Sequence, residues 1–69
     1  MSDKRTAVLN GLAQILEVKE VKPETALDPW DSLSVMQAVV MIDDVCGKVV
    51  HGRDLMDCKT AEDVLKVAL

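Results

Sequence analysis

Two prolines lie between two apolar-rich stretches in this chain of 69 residues. Pro23 and Pro29 both disfavour a continuous helix, and each pushes the residue before it toward extended geometry. A connection from Val18 to Trp30 therefore separates two helical segments. Connections of this length without regular structure are uncommon and often functional. Its apolar residues are expected to hold it against the rest of the fold, namely Val18, Val21, Ala26, Leu27 and Trp30.

The stretch before the prolines has helical periodicity. Its apolar residues follow the i, i+3, i+4, i+7 rule and predict a helix from Asp3 to Leu16, capped by Ser2 or Asp3. Asn10-Gly11 could also form a hairpin turn, but its flanks do not alternate between polar and apolar residues. We therefore favour a helix, in which Gly11 costs roughly 1 kcal/mol relative to alanine and suggests a close approach by another helix.

The stretch after the prolines, Leu33 to Cys46, is the longest apolar-rich segment. Asp31 or Ser32 is expected to cap a helix that runs to about Cys46, with Gly47 as the residue that ends it. On a helical wheel, one apolar stripe is sufficient for the core of a small bundle. This stripe contains Val35, Ala38, Val39, Ile42, Val45 and Cys46.

A second apolar set, Leu33, Met36 and Val40, lies on a neighbouring face of the same helix. Four short helices cannot surround one helix completely, so we expect part of this set to be exposed and to bind partners. The alternative is that all three side chains belong to the core, as Met and Leu at helical spacing usually do.

The last third of the chain predicts one short helical turn and one final helix. Val49 and Val50 provide an apolar contact in the loop, and the short turn spans 53–57. The run 60–63, Thr-Ala-Glu-Asp, resembles a capping box and opens the last helix. Its inner side is predicted to contain Ala61, Val64, Leu65, Ala68 and Leu69. The fold class is therefore all-α, a four-helix bundle of three main helices and one short helix, in a single domain over 1–69.

Charge and cysteine content limit the possible partners and compartments. The net charge is −4, which disfavours nucleic acid and anionic membranes and attracts basic partners. The longest apolar run, 38–42, is too short to span a membrane, and no signal peptide is recognisable. Cys46 and Cys58 match no zinc or redox motif, so we expect both to be reduced and buried. We predict a cytoplasmic monomer, with an organelle interior as the alternative compartment.

Five acidic residues are expected to cluster between the second and third helices. Each alone could be an ordinary solvated residue or a cap, but beside the second apolar set they predict a docking site for Lys and Arg side chains. These acids are Asp31, Asp43, Asp44, Asp54 and Asp57.

Ser32 lacks the surroundings of a catalytic serine. A nucleophilic serine needs a general base within hydrogen-bond reach, and the one histidine, His51, is in a different loop. No glycine-rich oxyanion loop is present. We therefore expect no enzymatic activity, although Ser32, Cys46 or Cys58 in a small hydrolase or transferase remains an alternative. Ser32 could also simply cap the helix.

Asp31-Ser32-Leu33, at the start of a Val- and Met-rich helix after a proline-containing loop, resembles the acyl carrier proteins. Val50 sits where that family has an apolar residue after its second helix, and Leu55 fits its short third helix. The run 60–63 fits the start of its last helix. The resemblance extends over essentially the whole chain.

The resemblance implies that Ser32 carries a covalent 4′-phosphopantetheine arm, installed from coenzyme A by a separate transferase. The arm would hold an acyl group as a thioester, sheltered between the second helix and the following loop. Asp31 would meet the transferase. A recognition face for acyl-loading, condensing or acyl-transfer enzymes of fatty-acid, polyketide or related biosynthesis would comprise Leu33, Met36, Val40, Asp43 and Asp44. Trp30, where the family usually has a small residue, could pack on the loop or lie near the arm.

A different interpretation needs no prosthetic group. The chain would be a helical interaction module, its second helix would dock a partner helix, and Ser32 would serve only as a cap. This interpretation predicts that no covalent modification occurs.

Overall fold

The protein consists of four helices, seen in a computed structural model that describes residues 3–69. They are α1 (Asp3–Leu16), α2 (Ser32–Cys46), α3 (Gly52–Met56) and α4 (Ala61–Ala68). Within this part of the chain the extended pairing is limited to an isolated antiparallel bridge between Ala26 and Thr60. The prediction of an all-α fold is confirmed. The predicted cap of α1, Ser2 or the Asp3 side chain, lies outside the described residues.

No helix in residues 3–69 combines the length and the apolar character that a membrane crossing would require.

One apolar core holds the four helices together, and each helix contributes to it. Leu12 of α1, Ile42 of α2 and Leu55 of α3 are completely buried, and Leu65 of α4 is 1% exposed. The chain has no Phe or Tyr, so aliphatic side chains fill this interior. The most extensive helix contact is between α1 and α2, and α2 also contacts α3.

The connection between α1 and α2 packs against the start of α4. The Leu27 N–H donates to the Lys59 carbonyl at 2.9 Å, and the Thr25 and Pro23 carbonyls accept from the N–H groups of Ala61 and Glu62. These carbonyls satisfy donors in the first turn of α4 that have no partner within the helix. The loop is therefore part of the folded unit, as predicted.

Two of the five residues predicted to hold the connection against the rest of the fold do not do so. Val21 and Leu27 are buried, but Val18 is 47% exposed and Ala26 is also exposed. Ala26 precedes the inward-facing Leu27 in extended backbone, where successive side chains point to opposite sides. Val18 follows a turn in which Glu17 adopts a φ of 59° and the Val18 N–H bonds to the Ala13 carbonyl. The turn ends α1 and leaves Val18 on the surface.

Two glycines have the roles that the sequence predicts. A Cβ on Gly11 would lie 2.6 Å from Met41 Cγ, so this glycine allows the close approach of α1 and α2. Gly47 ends α2 in the left-handed conformation, with φ at 65°, and its N–H donates to the Asp43 carbonyl at 2.9 Å.

The start of α4 confirms the predicted capping box. Asp63 Oδ2 accepts from the Lys59 N–H at 2.9 Å and from the Thr60 N–H at 3.2 Å. The same carboxylate therefore fixes the turn that leads into α4 and supports the loop pairing at Thr60.

Several predictions at the ends of elements are wrong. The short helix α3 begins at Gly52, one residue before its predicted start, because His51 is the last residue with extended backbone. Val49 is 76% exposed and only its neighbour Val50 is buried. Leu69 lies beyond the last turn of α4 and is 54% exposed, not on the inner side. Both cysteines are free thiols, but Cys46 is only half-buried, whereas Cys58 is buried.

Candidate functional site

The start of α2 is capped by Asp31. This residue has extended backbone, and its Oδ1 atom accepts a hydrogen bond from the Ser34 N–H at 2.9 Å. Its carbonyl accepts the first helical bond, from the Val35 N–H at 3.0 Å. The sequence left the cap open between Asp31 and Ser32, and the geometry assigns it to Asp31.

Ser32 is consequently the first residue inside the helix, and its side chain is exposed. The interpretation in which Ser32 itself is the cap is wrong, because Asp31 occupies that position. Within residues 3–69, no side chain hydrogen-bonds to the Ser32 hydroxyl, and His51 instead stands at the start of α3. The hydroxyl is therefore free to react with, or bind to, another molecule.

Ser34 was not recognised as part of this site from the sequence. It is 8% exposed, and its backbone N–H and then its hydroxyl hold the pKa of Asp31 below the ordinary 3.8. The Asp31 carboxylate therefore stays ionised beside Ser32 at neutral pH. The sequence signal was present, because a serine three positions after a capping aspartate can bond back to it.

Stability is expected to fall in acid because of the two capping carboxylates. Hydrogen bonds from the Lys59 and Thr60 N–H groups lower the pKa of Asp63, as the Ser34 groups lower that of Asp31. A carboxyl group whose pKa is lower in the folded chain than the unfolded value of 3.8 stabilises the fold at pH values above 3.8. This contribution is lost as the pH falls through the pKa of the folded chain. We expect urea midpoints to be constant above about pH 5 and to decrease at lower pH.

The matched variant for this acid effect is Asp31→Asn combined with Asp63→Asn. It should be less stable at neutral pH and should lose less stability on acidification than the unaltered chain. An equally steep acid decrease in the double variant would show that other carboxylates cause it.

The second apolar set lies on the open face of α2. Leu33, Met36 and Val40 are 63%, 66% and 62% exposed, so their predicted exposure is confirmed. Gln37, Asp43 and Asp44 are exposed beside them. Their role in recognising partners stays a prediction. The opposite stripe faces the core as predicted, with Val35, Ala38 and Ile42 buried and Val39, Val45 and Cys46 half-buried.

An open groove of about 770 Å³ runs between α1 and α2. Gly11 and the half-buried Met41 meet in this groove, and Leu33, Met36 and Val40 line its α2 side. This groove was not predicted from the sequence, and the shelter expected between α2 and the following loop stays a prediction. Ala7 and Gly11 could have indicated the groove from the sequence. They are small residues one turn apart on α1, so their side chains leave space on the α1 side of the groove.

Trp30 connects the start of α2 to α3. Its ring is half-buried, and its Nε1–H donates to the Leu55 carbonyl at 2.8 Å. Because Asp31 follows directly, this contact holds the segment that leads into Asp31 and Ser32 against the bundle.

The five acids of the predicted docking site are all exposed. Within the described part of the chain none of them forms an ion pair; the salt bridge there joins Arg5 to Glu62 at 2.7 Å. Charges that are not paired internally remain accessible to a basic partner.

Cys58 has the surroundings of an unreactive thiol. Burial raises the pKa of Cys58, and the carboxylates of Asp63, Asp57 and Asp54 raise it further. Because the thiolate is the nucleophilic form, these surroundings argue against Cys58 as the centre of an enzyme. Within residues 3–69, no group of three or more His, Cys, Asp or Glu side chains is placed to hold a metal ion.

No protein-family model, curated protein or solved structure matches this chain.

Proposed function

We propose that this chain is an acyl carrier protein with the fold of that family, and that it holds acyl groups as thioesters on a phosphopantetheine arm attached to Ser32. The observation that carries the proposal is the exposed Ser32 hydroxyl at the first position of α2. This hydroxyl does not cap the helix, because Asp31 makes the capping hydrogen bond. The chain itself catalyses no step in this role.

A serine in these surroundings is an acceptor and not an independent nucleophile. It has no general base within hydrogen-bond reach in the described residues, so a separate transferase must supply one. Ser32 Oγ would bond to the phosphorus of coenzyme A that bears pantetheine. Its proton would pass to the base of the transferase, and the adenosine bisphosphate would leave.

The surroundings of Ser32 fit a phosphodiester. The positive end of the α2 dipole and the N–H groups of its first turn favour an anion at this position. Ser32 is exposed and Leu33, the next residue, is 63% exposed, so a transferase can approach the hydroxyl from solvent. Asp31 is held by Ser34 and stays next to the hydroxyl, where an incoming transferase would meet it.

The face beside Ser32 has the composition of a docking surface. Leu33, Met36 and Val40 form an apolar centre, and Asp43 and Asp44 lie at its C-terminal end. This pattern suits an enzyme with a basic patch around an apolar contact, because charge guides the encounter and apolar burial holds the complex. The partners would be the transferase and the acyl-loading, condensing or acyl-transfer enzymes of fatty-acid, polyketide or related biosynthesis.

The test is to incubate the purified chain with coenzyme A and a phosphopantetheinyl transferase. We expect intact mass spectrometry to show one arm per chain and peptide mapping to place it on Ser32. An unchanged mass under conditions that load an established carrier would contradict the proposal.

Charge reversal should weaken partner recognition without unfolding the chain. We expect Asp43→Lys with Asp44→Lys to lower kcat/KM for arm attachment by about tenfold at low ionic strength, since the two acids would no longer attract a basic partner. Stability should hold or rise slightly, because cations are favourable in the last turn of a helix.

The matched control for this charge reversal is Glu20→Lys with Glu24→Lys. It makes the same change in net charge at two exposed residues of the loop. Equal losses in both double variants would mean that overall charge, and not the α2 face, governs recognition.

The exposed apolar face also supports a second candidate function, a helical interaction module without a prosthetic group. In that case no arm would be attached, and Ser32→Asp would preserve partner binding. Because Asp31 caps α2, this alternative leaves the exposed Ser32 without a role.

A further inference from the structure

Trp30 is the residue directly before the Asp31 cap, and we infer that it positions Ser32 for attachment of the arm. Its hydrogen bond to α3 holds the turn that presents the Ser32 hydroxyl to a transferase. This inference rests on the proposed function and adds how the acceptor is held. Leu27 is buried, and residues 28–29 after it are exposed. Trp30 is therefore the side chain that can fix the segment between Leu27 and Asp31.

The end of α3 provides a well-fixed acceptor for the indole. The Leu55 side chain is completely buried, and its carbonyl accepts from the Trp30 Nε1–H at 2.8 Å. The same carbonyl accepts from the Cys58 N–H at 3.0 Å, which fixes it in the turn after α3. The indole has one hydrogen-bonding group, its N–H. This bond and the packing of the ring against the core therefore determine where Trp30 lies.

A second contact joins the first turn of α2 to the same short helix. A Cβ atom on Gly52, the first residue of α3, would lie 3.5 Å from Val35 Cγ1, at ordinary van der Waals distance. Val35 is 3% exposed, and its N–H donates to the Asp31 carbonyl at 3.0 Å. The chain thus lies against α3 both before Ser32, at Trp30, and after it, at Val35.

These contacts restrain the backbone of Ser32 and leave its side chain exposed. The Asp31 carboxylate and carbonyl accept from N–H groups of the first turn, and Trp30 holds the residue before Asp31. A reacting group displaced by about 1 Å can slow a reaction by about a hundredfold, because the transition state requires close alignment. Since the transferase supplies the base, the contribution of Ser32 to the step is the position of its oxygen atom.

The expected effect of Trp30 is on the attachment step and not on docking. The proposed docking face, with Leu33, Met36 and Val40 at its centre, lies on α2 and does not include the indole. An interaction that only aligns the acceptor affects kcat, whereas contacts that hold the complex affect KM. Removal of the indole N–H should lower kcat for arm attachment by about threefold to tenfold, the effect of one hydrogen bond, and change KM for the chain by less than about twofold.

Two replacements remove the N–H and keep an aromatic ring. The chain has one tryptophan, so biosynthetic replacement of tryptophan by benzothienylalanine changes Trp30 alone and puts sulfur in place of the ring N–H. Trp30→Phe removes the N–H by ordinary mutagenesis. Fluorotryptophan keeps the N–H and is the matched control, so the chain that contains it should retain the kcat of the unaltered chain.

Val8→Ala separates positioning from a general loss of stability. Val8 is completely buried on α1, which packs against α2 and α4, so this truncation weakens the core and retains the Trp30 bond. We expect its kcat to equal that of the unaltered chain at a temperature where circular dichroism shows both to be folded. Equal losses of kcat in Val8→Ala and Trp30→Phe would overturn the inference, because stability alone would explain both.

Amide hydrogen exchange tests the restraint without the transferase. The Ser34 N–H, bonded to Asp31, should exchange faster in Trp30→Phe because the first turn of α2 opens more often. The Ala61 N–H, bonded to the Thr25 carbonyl at 3.0 Å, is the internal control and should not change. Equal acceleration at both amides, or at neither, would contradict a local restraint by Trp30.

The outcomes separate this inference from the proposed function. Failure of the transferase to attach an arm to the unaltered chain would overturn both. Attachment to Trp30→Phe and to the benzothienylalanine form with unchanged kcat would overturn the positioning role and leave the carrier function standing. A loss confined to KM would also overturn the positioning role, because Trp30 would then be a docking residue.

Discussion

Ser32→Ala is expected to abolish attachment of the arm and to leave the free energy of unfolding within about 0.5 kcal/mol of the unaltered chain. The hydroxyl that it removes is exposed, and the capping hydrogen bond of α2 comes from Asp31. Intact mass after incubation with coenzyme A and the transferase measures the first effect. Urea unfolding followed by circular dichroism measures the second.

Asp31→Ala is the variant to compare with Ser32→Ala. It removes the bond to the Ser34 N–H, so it should lower the urea midpoint, while the Ser32 acceptor remains present. Loss of stability in Ser32→Ala instead would mean that Ser32 has a structural role. An arm attached to Ser32→Ala would mean that a different residue is the acceptor.

Leu12→Ala is expected to lower the free energy of unfolding by about 2 to 5 kcal/mol. Leu12 is completely buried where α1 meets the rest of the core, so its truncation removes apolar contacts and leaves a cavity. A chain of this size has a total stability of roughly 3 to 10 kcal/mol. The variant should therefore lose a large part of its stability, and its thermal midpoint should fall by about 10 °C or more.

Leu33→Ala is the matched control for this core variant. It makes the same truncation at a leucine that is 63% exposed, so the free energy of unfolding should change by about 0.5 kcal/mol or less. If Leu33→Ala were as destabilising as Leu12→Ala, the α2 face would belong to the core and could not serve as a docking surface.

The positions of the helices could be predicted because they depend on residues close together in the chain. The apolar spacing of 3–16 and the prolines that follow define α1 and the connection. Gly47 ends α2, and the Asp63 carboxylate opens α4, through contacts that span four residues or fewer. Contacts of this range can be predicted from the order of residues alone.

Predictions of burial were less accurate, because burial depends on which distant segment packs against a residue. Val49 and Val50 are adjacent and chemically identical, yet one is 76% exposed and the other 5%. Leu69 continues the apolar pattern of α4, but it lies after the last helical residue and is 54% exposed. The periodicity identifies apolar residues without identifying their neighbours.

From the residue order alone one can predict that the chain forms helices, that α2 begins near Asp31 and Ser32, and that no histidine is close to Ser32 in the chain. The cap is a local contact between Asp31 and Ser34, and only the choice between Asp31 and Ser32 as the capping residue required the orientation of a side chain. Two other features depend on how the helices pack: the Trp30 indole donates to the Leu55 carbonyl, and an open groove runs between α1 and α2. Both join segments that are far apart in the sequence, so residue order alone does not specify them.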